Sequence, residues 1–165
     1  MYLNALDFLE EERDAWAPYE ALLGLSADDL ERPAEPGGPT HGWSGRDLLG
    51  HVLAWQGHAL DVARELAVGQ ATPSRERMRV LWDADGDAVN EAFIAEWRAL
   101  SLDELRRRAR DMPGELRGTL TVVPEARWIK DPDLTAFFYS ETTEHYRDHG
   151  PELDAILAAA ARSAS

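Results

Sequence analysis

The amino-acid sequence predicts an all-α fold, a four-helix bundle with long connections between its helices. Apolar residues recur at three- and four-residue steps in four long stretches, which is the pattern of helices with one buried face. Helix-start patterns support this, such as Ser44 with Asp47 three residues later. The one extended-looking segment, TLTVV at 119–123, cannot form a sheet alone. At 165 residues the chain is expected to form a single domain, 1–165, large enough to bury a core.

The first predicted helix runs from about Asn4 to Leu23 and ends at Gly24. Pro18 lies inside it and lacks a backbone donor, so we expect a kink at this point rather than a helix end. A loop rich in proline and glycine follows at 33–43, and its His41 is expected to be solvated.

The second predicted helix begins after Ser44 and ends at Gly69. Its apolar stripe consists of Leu48, His51, Val52, Trp55, Ala59, Val62 and Leu66. His51 therefore lies on a face that should be buried, where an unpaired imidazole is costly. It is either a metal ligand or a core histidine bonded to a neighbouring backbone group or carboxylate. His58 lies about 10 Å further along the helix, too far to bind the same ion as His51.

The middle of the chain gives weaker patterns. Residues 75–82, RERMRVLW, form either a short helix or an ordered loop. The alternating aspartates that follow do not match a calcium loop, because Ala88 and Ile94 occupy its glycine and glutamate positions. We expect these aspartates in a loop and at the N-terminus of a third helix that carries Phe93 and Trp97.

A capping pattern at Ser101 and Glu104 predicts a break and then a further helix to about Met112. The stretch PGELRGTLTVVPEARWIKDPD, from Pro113 towards the last helix, is the least helical part of the sequence and is expected to be a long loop.

Asp131 and Pro132 are expected to open the last helix, in N-cap and first-turn positions. His145 and His149 lie four residues apart within it, so both imidazoles project from one face and can reach one point. Neutral imidazole is the commonest protein metal ligand. The pair is either half of a metal site or a packed or solvated histidine pair. Pro151 is expected to bend the helix just after His149.

Composition excludes several classes of function. The net charge of −14 opposes binding to nucleic acids and to anionic membrane surfaces. No apolar run reaches the ~18 to 20 residues of a membrane span and the N-terminus carries no signal pattern, so a cytoplasmic location is expected. The chain has no cysteine, so any thiol chemistry needs a thiol supplied as a cosubstrate.

Three segments resemble a known family. The segment GWSGRDLLGHVLAW resembles the second-helix signature of the DinB-like superfamily, a Trp-Ser pair followed by an apolar helix with one histidine. NEAFIAEWRALSLDELRR and ETTEHYRDHGPEL resemble its third and fourth helices. The group includes the N-terminal domain of the mycothiol-dependent maleylpyruvate isomerases, the bacillithiol transferases and the ClbS/DfsB proteins.

The resemblance covers roughly residues 5–158 and implies a four-helix bundle in up-down-down-up order, often a homodimer. It also implies one divalent metal ion held by His51, His145 and His149. The isomerases use a carboxylate at one ligand position and carry a separate C-terminal domain. Three histidines resemble the DinB and bacillithiol-transferase branch more closely, so the isomerase reaction is not expected.

Two functions are compatible with these observations. The first is a metal-dependent thiol S-transferase or hydrolase. In it a Zn, Ni or Fe ion would activate water, or a low-molecular-weight thiol such as mycothiol or bacillithiol, against a small electrophile. The second is a non-catalytic small-molecule binding or stress-protection protein of the same fold, with or without metal. The candidate pocket residues are Trp43, Trp55, His58 and Thr142. For Trp43 and Trp55, core packing is an equally good explanation.

Overall fold

The computed structural model describes residues 2–34, 38, 40 and 42–163, and this part of the chain consists of helices and connecting turns without any strand. The predicted all-α class is therefore confirmed. The helices are α1 (Ala5–Trp16), α2 (Glu20–Leu23), α3 (Ala27–Glu31), α4 (Gly45–Val68), α5 (Pro73–Arg98), α6 (Leu102–Val122), α7 (Pro132–Tyr139), α8 (His145–Asp148) and α9 (Gly150–Ser163). Single 3₁₀ turns lie at Ala17–Tyr19 and Glu125–Arg127, and a π-helical turn lies at Ser140–Glu144. His41 lies outside the described residues.

Helix α4 is the central element, and it is buried on most of its surface. It packs along α5 and α6, and it also contacts α3, α9 and the π-helical turn. Its start is fixed by the predicted capping box between Ser44 and Asp47. Asp47 also accepts a 2.6 Å hydrogen bond from Nε of Arg98, which ties the end of α5 to the start of α4. A Cβ atom at Gly50 would lie 2.7 Å from Cβ of Trp97, so the close approach of α4 and α5 requires glycine there.

The hydrophobic core forms two clusters, and α4 contributes side chains to both of them. One cluster surrounds Phe8, Trp128 and Phe138. The other surrounds the packed rings of Trp16 and Tyr146. Residues of the first helix, α1, and of the last helix, α9, therefore pack in clusters that α4 shares.

The predictions for the first and last helices agree with the structure at their key positions. The first helix passes through a 3₁₀ turn at Pro18 and continues to Leu23, so proline tightens it locally without ending it. Asp131 caps α7 by accepting hydrogen bonds from the Asp133 and Leu134 amides. The last helix is interrupted at His149, where φ is −90° and ψ is 7°, immediately before Gly150 and Pro151.

The predicted long loop after Met112 is wrong for its first ten residues, because α6 continues to Val122. Leu116 and Leu120 extend the buried stripe that Leu105 begins, and Pro113 is itself buried inside the helix. Packing of this apolar face outweighs the low helix propensity of proline, glycine and threonine in the segment.

Residues 75–82 are helical and join the predicted third helix in a single element, α5. The join is kinked at Asp85, whose φ of −165° and ψ of 92° are not helical. The Asp85 side chain accepts a 3.0 Å hydrogen bond from the Ala88 amide, as an N-cap residue does. The aspartates were expected to begin a separate helix, and in the structure they mark a kink within α5 instead. Within α5 only Trp97 is buried.

Among the described helices, none combines the length and the apolar character that a membrane crossing requires.

Candidate metal centre

His51 is held at a fixed place in the core by the central helix. It lies less than two turns from the α4 capping box, and only 3% of its surface is exposed. Its ring packs against the indole of Trp43, at a centroid distance of 4.8 Å. The buried position predicted from the apolar stripe of α4 is therefore confirmed.

His145 and His149 reach the same place from the opposite side. His145 begins α8, and His149 is the residue at which that helix ends. Nε2 of His51 lies 3.1 Å from Nε2 of His149, and each pair of the three rings has its centroids 4.7 or 4.8 Å apart. One ring nitrogen from each histidine lies within 4.8 Å of the others. The structure thus brings together the three histidines that the sequence singled out.

The donor set fits a divalent metal ion. Zn–N bonds are about 2.0–2.1 Å long, so two nitrogens on one tetrahedral ion lie about 3.3 Å apart, close to the separation of His51 and His149. Nε2 of His145 is buried and has no hydrogen-bond partner. Such atoms are costly in a protein interior unless a ligand or an ion engages them.

Electrostatics favour the metal-binding form of these rings. Burial, with a smaller contribution from His149, lowers the pKa of His51 to about 4. Burial and the two neighbouring histidines lower the pKa of His145 to about 3. At neutral pH both imidazoles are therefore uncharged, with a lone pair available to a cation.

Two neighbours support the cluster. Oε1 of Glu152 lies 3.4 Å from Nδ1 of His149, within the distance of an ion pair if that ring is charged. Carboxylates in this position commonly orient ligating histidines. The Trp43 ring packs against both His51 and His149, with centroid distances of 4.8 and 5.8 Å. It covers one side of the cluster with an apolar surface.

A buried polar network fixes α8, and with it the histidines. Tyr146 donates a hydrogen bond to Glu12 at 3.3 Å and accepts one from Gln56 at 2.6 Å. Glu12 also accepts a 2.7 Å hydrogen bond from Arg117. The Tyr19 hydroxyl donates to the Tyr146 carbonyl at 2.7 Å. Burial raises the pKa of the Glu12 carboxyl despite Arg117, which is the cost of keeping this network in the core.

The histidine cluster lies on the wall of a cavity of about 660 Å³. Trp43, Trp55 and His58, three of the four predicted pocket residues, line it. The Trp55 indole N–H donates to Oδ1 of Asn90 at 3.2 Å, which fixes the ring against α5. This volume is within the range of small-molecule sites.

His58 lies in the cavity wall and is not part of the metal-capable cluster. Its ring packs edge-on against Phe137, at a centroid distance of 5.4 Å, and burial lowers its pKa. These positions agree with the expectation that it lies too far along α4 to share an ion with His51.

Thr142 corrects the pocket prediction, because it does not line this cavity. It is fully buried, and its hydroxyl donates a 2.5 Å hydrogen bond to the Phe138 carbonyl. It lies in the π-helical turn, whose wider winding changes the direction of side chains relative to a regular α-helix.

Several cavity residues were not singled out from the sequence. Arg75, Arg79 and Trp82 come from residues 75–82, whose sequence pattern fits either a short helix or an ordered loop. Glu141 comes from the π-helical turn. Its position four residues before His145 was an available signal, since that spacing places two side chains on one helical face.

Glu141 is the most perturbed carboxyl of the cavity wall. Its Oε2 is enclosed by protein and has no hydrogen-bond partner. Burial raises its pKa to about 8, and the charge of Arg75 offsets only part of this effect. Perturbed carboxyls of this kind are common at functional sites.

Comparison of the chain with protein-family models, with curated proteins and with solved structures finds no match.

Proposed function

We propose that this chain is a metal-dependent enzyme of the DinB-like group, a thiol S-transferase or a hydrolase acting on a small electrophile. The observation that carries the proposal is the convergence of His51, His145 and His149 within 4.8 Å on the wall of a cavity of about 660 Å³. Three protein ligands beside a cavity are typical of catalytic sites, whereas structural zinc sites have four.

The chain's own residues would hold and shield the reacting groups. The three imidazoles would hold one Zn, Ni or Fe ion, since nitrogen donors suit all of these metals. Such an ion would lower the pKa of a thiol or a water molecule bound to it. Trp43 limits access of bulk water to the histidines, and Trp55 and Phe137 offer an apolar surface for the electrophile.

The absence of cysteine supports a diffusible thiol such as mycothiol or bacillithiol as the cosubstrate. The proposed location is the cytoplasm, where such thiols stay reduced. The net charge of −14 supports a small-molecule substrate over a nucleic acid or a membrane. A homodimer is proposed from the resemblance alone.

The proposed architecture is the DinB-like four-helix bundle in up-down-down-up order, as a single domain over 1–165. We assign its four members to α1–α2, α4, α6 and the α7–α9 segment. The contacts of α6 with α1, α2 and α4 support this assignment. Helix α5 would then be an addition that packs outside the bundle against α4.

The test combines metal analysis with an activity assay. Protein purified without chelators should contain close to one divalent ion per chain by elemental analysis. Conjugation of mycothiol or bacillithiol to 1-chloro-2,4-dinitrobenzene, or hydrolysis of an activated ester, should then require that ion. Whichever activity is found should be lost on chelation and return when zinc, nickel or iron(II) is added back.

A non-catalytic binding protein is the second candidate, because the aromatic cavity exists independently of any ion. Ligand binding in the cavity without bound metal, and without turnover in either assay, would favour it.

A further inference from the structure

We propose that the cavity beside the three histidines binds a small organic amine in its protonated form. Its ammonium group would meet Glu141, and its apolar body would lie against Trp55, Trp82 and Phe137. The binding does not depend on metal, so this inference goes beyond the proposed function.

The first argument is the state of Glu141. This residue lines the cavity, and its Oε2 is enclosed without a hydrogen-bond partner. Burial of the carboxyl raises its pKa to about 8, so the charged form lacks the stabilisation that water would give it. A cationic N–H donor in the cavity would supply that stabilisation, since hydrogen bonds between two charged groups are the strongest of their kind.

The second argument is that the cations of the cavity wall are already engaged. Arg79 pairs with Glu76 at 2.6 Å and with Asp83 at 3.2 Å. The Arg75 guanidinium lies over the Phe137 ring at 5.4 Å and donates to the Asp133 carbonyl at 3.5 Å. An anionic ligand would have to compete with these contacts, whereas Oε2 of Glu141 has no hydrogen-bond partner.

The third argument is the aromatic surface. The Trp55 and Trp82 rings meet edge to face with centroids 5.3 Å apart, and Trp82 remains 46% exposed at the cavity. Aromatic faces attract cations, as the position of Arg75 over Phe137 already illustrates. The net charge of −14 attracts small cations further. An aromatic or aliphatic amine satisfies all three features together.

The experiment compares benzylamine with benzyl alcohol and benzoate, which share its ring but are neutral and anionic. Affinities are measured by calorimetry and tryptophan fluorescence on the full chain, once with EDTA and once with zinc added. Benzylamine should bind at least about tenfold more tightly than either analogue, a difference of about 1.4 kcal/mol. The preference should persist in EDTA.

Glu141→Gln should remove this preference, because it keeps the shape of the side chain but cannot form a carboxylate. Glu76→Gln is the matched control: Glu76 lines the same cavity but is exposed and paired with Arg79, so the preference should remain. Trp82→Ala, at a half-exposed position, should weaken benzylamine binding severalfold while the melting temperature stays close to that of the wild type.

Equal affinity of the wild type for benzylamine and benzyl alcohol, or tighter binding of benzoate, would overturn the proposal. Equal loss in Glu141→Gln and Glu76→Gln would also overturn it, since general acidity would then explain the binding. The two proposals fail separately. An amine preference without zinc binding refutes the metal enzyme alone, and zinc binding without an amine preference refutes the amine site alone.

Discussion

Of the four described histidines, three converge on one place in the core and the fourth lies elsewhere in the cavity wall. His51 and His149 are 3.1 Å apart through Nε2, His145 completes the cluster, and His58 packs against Phe137 in the cavity wall. This difference can be tested one residue at a time.

We expect His145→Ala to lower the bound metal to a small fraction of one ion per chain, because only two nitrogens of the cluster remain. His58→Ala removes an imidazole of the same cavity that is not part of the cluster, so its metal content should equal that of the wild type. Elemental analysis of the two variants, purified side by side, gives the answer. Similar metal loss in both would contradict the assignment.

The pKa values of His51 and His145 predict a loss of stability in acid for the metal-free protein. Well above pH 6.5, the ordinary pKa of histidine, these imidazoles are neutral in both states, so they make no pH-dependent contribution. As the pH falls below 6.5, the unfolded chain binds a proton at each of these histidines. The folded chain does not bind them until about pH 4 at His51 and about pH 3 at His145. Each histidine should lower the free energy of unfolding by up to about 1.4 kcal/mol per pH unit.

Urea unfolding in EDTA between pH 6.5 and 5 measures this slope. His51→Phe should make the fall shallower. Glu141→Gln should make it steeper, because a carboxyl whose pKa is raised to about 8 when folded gains stability as the pH falls through this range. If the free energy of unfolding changes equally with pH in the wild type and in both variants, the pKa values of His51 and Glu141 are not shifted by burial.

The histidine cluster was predictable from the sequence because two simple regularities locate it. The stripe of α4 directs His51 inward, and four-residue spacing puts His145 and His149 on one face. Thr142 was named as a pocket residue although it does not line the cavity, and Glu141, which does line it, was not named. Both lie in a π-helical turn, which changes side-chain directions without a clear mark in the sequence.

At the level of elements, α6 shows where local patterns fail. Pro113, Gly114 and Gly118 favour a loop when they are considered alone. Burial of Leu116 and Leu120 against the rest of the protein favours the helix, and this contribution is larger. Capping residues were more reliable, because Ser44, Ser101 and Asp131 bond to the backbone of their own helices.

Gly114→Ala tests the extension of α6. Gly114 lies in the exposed face of the helix and a Cβ there meets nothing within 4 Å, so alanine should stabilise the protein by about 0.5–1 kcal/mol. Gly50→Ala is the opposite case, because its Cβ would lie 2.7 Å from Cβ of Trp97, and it should be destabilising. Chemical denaturation of both variants measures whether the free energy of unfolding rises for Gly114→Ala and falls for Gly50→Ala. A destabilised Gly114→Ala would argue against helix at this position.

For the molecule as a whole, a metal ion should be linked to folding. An ion bound only by the folded chain stabilises it by mass action. Chelation should therefore lower the melting temperature by several degrees, and added zinc should restore it. His145→Ala should already melt near the chelated value and respond little to EDTA. An unchanged melting temperature after confirmed metal removal would show that the bound ion does not stabilise the folded chain.

Net charge also predicts which polymer the protein will not bind. The clearest basic run is Arg106–Arg108, and there Glu104 is held between Arg107 and Arg108, which lowers the pKa of that carboxyl to about 2. With a net charge of −14 we expect no salt-sensitive binding to duplex DNA at physiological ionic strength. Fluorescence anisotropy with a labelled duplex checks this. Micromolar affinity that weakens with added salt would contradict it.

The kink at Asp85 has a consequence for kinetics. The part of α5 before it, 73–84, supplies much of the cavity wall yet contains no fully buried residue. Releasing this segment would expose little apolar surface, so its opening free energy should lie well below that of global unfolding. Ligand entry and departure can then proceed by a local fluctuation while α4 and the histidines keep their positions. The residence time of a ligand in the cavity would then depend on the twelve residues of 73–84, whereas the geometry of the histidine cluster depends on α4 and α8.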